Sequence, residues 1–111
     1  IGSVNYFTAD PEDGVYGAAI GCATVTSAPG ATPIYNDANN MPDPAQAATD
    51  PDMATFEMLN LEPVDHTITA TVGGRSESVT VSSIWPGSIT VVMFEYNASE
   101  HGTLDMLQSC N

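Results

Sequence analysis

Apolar and hydroxyl-bearing residues alternate along this chain in short stretches, and no long stretch shows the period of a helix. Residues 66–72 read HTITATV, which places Ile68, Ala70 and Val72 on one face and Thr67, Thr69 and Thr71 on the other. Gly73-Gly74 follows and predicts a hairpin turn. The alternation resumes over 75–81, with Val79 and Val81 on one face. Residues 88–96, SITVVMFEY, are apolar on both parities. They predict a central strand, or one covered on its second face. Residues 54–61 carry Phe56 and Met58 on one parity and Leu59 and Leu61 on the other. Residues 15–26 read as one long strand, broken by a bulge near Gly21. Residues 32–35 read as short and edge-like, because Pro33 has no N–H for a ladder. Residues 3–8 predict a first strand. Residues 103–110 predict one or two helical turns, with Leu104 and Leu107 packing down.

Turn signals separate these stretches at 11–14, 28–30, 39–44, 73–74 and 86–87. Short strands between recurrent turns predict an all-β fold. We expect a Greek-key β-sandwich of about seven strands, transthyretin-like or Ig-like, in a single domain over residues 1–111. Residues 36–52 differ. They are mostly Asn, Asp, Pro and Ala, and they predict a long irregular loop of the kind that often carries function.

Charge then removes whole classes of function. Arg75 is the single basic side chain, lysine is absent, and fourteen Asp and Glu give a net charge of −13. Nucleic acid and anionic membrane surfaces both require Lys or Arg against their phosphates, so neither is an expected partner. A phosphate site, which ordinarily needs Lys or several Arg, is not expected either. No segment is long and apolar enough to span a bilayer, so no membrane insertion is expected. The apolar content of 42% is that of a folded protein, so the acidity does not signal disorder.

Two cysteines, Cys22 and Cys110, predict one disulfide and an oxidising compartment; two buried free thiols are the alternative. The bridge would close 110 − 22 = 88 residues and pin the C-terminal tail. Loop-closure entropy assigns it about 4–5 kcal/mol as an upper bound. No C-x-x-C pair is present, so the cysteines match no zinc motif. A chain beginning at Ile1 is expected to be a processed mature form or an excised domain. Asn97-Ala98-Ser99 fits the N-glycosylation acceptor triplet.

Candidate chemistry is sparse. Asp37, Asn39, Asp43, Asp50 and Asp52 offer oxygen ligands for calcium, the one cofactor the sequence suggests. Met41 stands where the next alternating ligand would fall, so this is not an EF-hand loop. The alternative is a solvated turn region in which Asn and Asp satisfy their own backbone. His66 and His101 have no partner at metal spacing, and His66, at a strand start, is expected to face solvent. No serine sits in a G-x-S-x-G turn. The acidic pairs Glu12/Asp13 and Asp50/Asp52 lie in turn-like stretches without a rigid cleft, so we reject them as glycosidase carboxylates. Tyr16, Tyr35, Trp85 and Tyr96 are candidates for a carbohydrate-stacking platform, although Trp85 before Pro86-Gly87 is better suited to capping a turn. No catalytic residue is assigned.

The stretch from about residue 15 to 96 resembles the carboxypeptidase regulatory-like modules of bacterial extracellular proteins. The resemblance rests on Thr49-Asp50, on FEMLNLEP over 56–63, and on the alternating strand HTITA over 66–70. Residues 33–37 (PIYND) and 42–44 (PDP) resemble an extended loop of large extracellular bacterial proteins. The family glycine before the aromatic is missing, and Val64 replaces the glycine after the turn proline. The resemblance implies a transthyretin-like fold, a surface setting and no catalytic residues.

The expected function is therefore that of a non-enzymatic extracellular or cell-surface module, structural or adhesive, acting through protein–protein association. A second expectation is a subunit or decorating protein of an extracellular filament assembled by strand addition, with Val4, Tyr6 and Phe7 of the first strand meeting the partner. A third is a carbohydrate- or substrate-binding accessory domain of a secreted hydrolase.

Overall fold

The structure, a computed structural model, describes residues 2–7, 16–59, 61–82, 90–97, 100 and 102. The nine elements formed by these residues are all strands, in the order β1 (Gly2–Phe7), β2 (Tyr16–Ala19), β3 (Thr24–Ala28), β4 (Pro33–Asn36), β5 (Pro42–Asp43), β6 (Thr55–Met58), β7 (His66–Val72), β8 (Arg75–Val81) and β9 (Val92–Asn97). The all-β expectation holds. The helical turns expected over 103–110 lie outside the described residues.

The smaller sheet has the order β3-β7-β8, antiparallel throughout. Its hairpin turns at Gly73 and Gly74, with φ of 56° and 74°. Two successive positive φ values define the tight turn whose twist matches the flanking strands, and glycine adopts them without a steric penalty. Burial along β7 follows the predicted parity, with Ile68, Ala70 and Val72 inside. His66 shares that parity and is 1% exposed, which corrects the expectation of a solvent-facing histidine.

The larger sheet has six strands. β1 runs parallel to β9 along its whole length, from Gly2 opposite Val92 to Phe7 opposite Asn97. Its other edge is shared. Gly2 and Ser3 pair with Phe56 and Thr55 of β6, and residues 5–7 pair with β2. Beyond β6 lie β4 and then β5. The core fills the space between the sheets: Val25, Ile68, Ala70 and Val72 from one side, Tyr35, Phe56, Phe94 and Tyr96 from the other.

Three local expectations change. Residues 15–26 do not form one bulged strand, because β2 and β3 belong to different sheets. The chain turns a corner at Gly21-Cys22, where Cys22 has a φ of 64°. Thr49 holds that corner. Its hydroxyl donates to the Ile20 carbonyl (2.7 Å) and accepts from the Ala23 amide (2.9 Å). Its own carbonyl and amide bond Cys22 N–H and Ala23 C=O. Next, β4 is interior and not an edge. Pro33 is tolerated there because β5 reaches only Tyr35 and Asn36, so β6 alone flanks Pro33. Finally, β9 buries only one face. Phe94 and Tyr96 are inside, while Met93 is 52% exposed and Val91, just before the strand, 70%.

Two tyrosines stitch the sheets together. Val25 N–H of β3 donates to the Tyr35 hydroxyl (2.8 Å). The Tyr96 hydroxyl reaches the carbonyls of Ala70 (2.9 Å) and Arg75 (3.1 Å). Burial pushes the Tyr35 hydroxyl above its ordinary range, partly offset by the Val25 amide. Burial, reinforced by the negative charge of Glu77, raises Tyr96 to about 12.

Candidate functional site

The strand β1 occupies a slot built by residues distant in sequence. On one side stands β9; on the other stand β6 and β2 in succession. Among the described residues, β2 and β9 pair with no strand other than β1. Without β1 the six-stranded sheet separates into β2, β9 and the group β6-β4-β5. The floor of the slot includes Phe56 and Phe94, both 2% exposed, with ring centroids 6.3 Å apart and planes tilted by 33°. Gly2 lies against the Phe56 ring so closely that a Cβ at this position would overlap it. Of the predicted partner-binding residues, Val4, Tyr6 and Phe7 all fall on β1. By register, the exposed Val91 and Met93 flank the end of the slot where Gly2 sits.

The outer face of the smaller sheet is a second surface with a distinct character. Register aligns Thr24, Thr71 and Ser76 in one row and Thr26, Thr69 and Ser78 in the next; Ala28, Thr67 and Thr80 complete a third. Hydroxyls bond across the strands at 2.8 Å for Thr71–Ser76 and Thr69–Ser78, and at 3.4 Å for Thr67–Thr80. These rows hold no charged side chain. The residue types were readable in the sequence; the rows were not, because they depend on which strands pair.

The expected loop at 36–52 is more ordered than its composition suggests. It contains β5, and Asp37 closes the β4–β5 turn by accepting from the amides of Asn39 (2.9 Å) and Met41 (3.1 Å). Asp43 accepts from the Ala45 amide, and Asp50 from those of Asp52 and Met53. These are Asx turns, so three of the five candidate calcium ligands hold their own backbone. No group of three or more His, Cys, Asp or Glu is placed to hold a metal among the described residues. Asn39 and Asp52 are exposed.

His66 was missed as a buried group, although its parity with Ile68 in HTITATV was the available signal. Its Nε2 donates to the Glu62 carbonyl (2.9 Å), and its Nδ1 meets the Ser27 hydroxyl at 3.1 Å. Ser27 in turn donates to the Pro29 carbonyl (2.8 Å). A carbonyl, and not a carboxylate, therefore orients this ring. His101 and Trp85 lie outside the described residues. Tyr35 and Tyr96 are buried, so neither can belong to a surface stacking platform.

Cys22 is not a free thiol. Cys110, its expected partner, lies outside the described residues. Asn97 is exposed at the end of β9. No family model matches the chain, and no curated protein or solved structure matches it.

Proposed function

We propose that this chain is a non-enzymatic extracellular or cell-surface module that acts through protein–protein association. The observation that supports the reading best is the position of β1. One uncharged strand joins three otherwise separate parts of a sheet, in a slot with exposed apolar residues at one end. Polar groups on the body favour association over catalysis as well. The hydroxyls spread in rows over an open sheet face and do not converge.

The same proposal includes a Cys22–Cys110 bridge, supported by the absence of a free thiol at Cys22. It includes a glycan acceptor at the exposed Asn97, and the likeness to carboxypeptidase regulatory-like modules. All three suit an exported protein. Sedimentation of the intact chain over a wide concentration range tests the reading. Concentration-dependent oligomers, or attachment to a cell surface, are expected. A monodisperse monomer that attaches to nothing overturns it.

A further inference from the structure

We propose that the slot holding β1 is exchanged between copies of this chain, so that β1 of one copy seats between β9 and β6/β2 of the next. This rests on the association reading above and names its partner, a second copy. Four observations carry it.

The first is steric. The slot is closed at Phe56 to any residue with a Cβ opposite it, and Gly2 is the only glycine in residues 1–9. Sliding β1 by two residues, the smallest shift that keeps its faces, would bring Val4 to that point. Slot and strand therefore match in one register, and a copy of this chain supplies the matching strand. The second is charge. All fourteen acidic residues lie at Asp10 or beyond, so residues 1–9 enter another copy without adding like charge.

The third is reach. Residues 8–15 join β1 to β2, and eight residues extend about 26–29 Å. The shorter extents of the molecule are 27 and 22 Å, so this connection can carry β1 into a copy lying alongside. The fourth is the balance of contacts. An exchanged β1 makes the same six-residue parallel ladder with β9 and the same antiparallel pairs with β2 and β6. Exchange thus forfeits no pairing, and new contacts between abutting bodies decide the outcome. Val91 and Met93 stand exposed beside the slot for such contacts. Donation from each copy to the next is head-to-tail, a geometry that closes into rings or grows open chains.

The test uses the full chain with Ser3→Cys and Met93→Cys, a pair in register across the parallel ladder. Isotope-labelled and unlabelled protein are mixed, unfolded, refolded together and oxidised. Linked peptides are then read by mass. A second pair, Asn5→Cys with Glu95→Cys, repeats the measurement at another point of the same ladder. The proposal expects links carrying one label from each source, and a ladder of covalent multimers. Links made only within one chain overturn it, as does the absence of a link at both pairs. Sedimentation separates this failure from that of the broader reading. Oligomers with only intrachain links leave association standing and remove strand exchange; monomers with only intrachain links remove both.

Discussion

The two sheets of this molecule are held together in opposite ways. The smaller sheet is built around a hairpin of neighbouring strands, with seven registered pairs from His66–Val81 to Val72–Arg75. Its outer hydroxyls bond one another across that hairpin. The larger sheet depends on β1, whose partners β6 and β9 come from far along the chain. Local pairing builds the β7–β8 hairpin of the first sheet, to which β3 is added from an earlier part of the chain. Distant pairing makes the second depend on a single strand, the feature on which the proposed exchange rests.

The contrast can be broken most severely at Gly2. Gly2→Val drives a side chain into the buried Phe56 ring. It should cost about 3 kcal/mol or more, at the upper end of overpacking, as measured by denaturant midpoint. A comparable substitution at Ser78, on the exposed face of the smaller sheet, should leave the midpoint unchanged.

The corner joining the sheets comes next. Thr49→Ala removes the acceptor of the Ala23 amide and the donor to the Ile20 carbonyl, both buried bonds. A loss of about 2–4 kcal/mol is expected, since each buried group left unpaired costs about 1–3 kcal/mol.

Tyr96 sharpens the comparison through pH. Its folded value of about 12 exceeds the ordinary 10.0 because the buried hydroxyl resists ionisation. The unfolded state therefore releases this proton first as pH rises. The resulting stability is complete below pH 10 and declines as pH rises toward 12. Tyr96→Phe should flatten this alkaline decline in thermal melts. At neutral pH it should cost about 1–3 kcal/mol through the lost bonds to Ala70 and Arg75.

The smallest effect is expected on the hydroxyl face. Thr69→Val removes one bond to Ser78 from an exposed row and retains β-branching. Its effect should stay within about 0.5 kcal/mol by the same melts. A larger loss would show that the hydroxyl rows contribute more to the smaller sheet than surface bonds ordinarily do.

What could be read from the sequence divides along the same line. HTITATV, Gly73-Gly74 and the alternation to Val81 specify the hairpin locally, because side-chain parity and turn chemistry act over adjacent residues. β1 was also recognised as a strand, and Val4, Tyr6 and Phe7 were identified as candidate partner residues. Its position was hidden, because no local pattern reports a parallel partner some ninety residues away. The corner at Gly21-Cys22 was mistaken for a bulge because the residue that stabilises it, Thr49, lies in another segment. The Asp-rich loop suggested calcium through composition, whereas its ordering comes from carboxylates bonding amides two to four residues ahead.

The most direct measurement supplies β1 from outside. A chain lacking residues 1–8 is melted alone, then with a peptide spanning residues 1–9, and then with that peptide carrying Gly2→Val. The truncated chain alone should lack a cooperative transition or melt far lower. The native peptide should restore the transition at one equivalent, and the valine peptide should not. A truncated chain that melts like the full one, or that both peptides rescue equally, would contradict the claim that this slot recognises this strand.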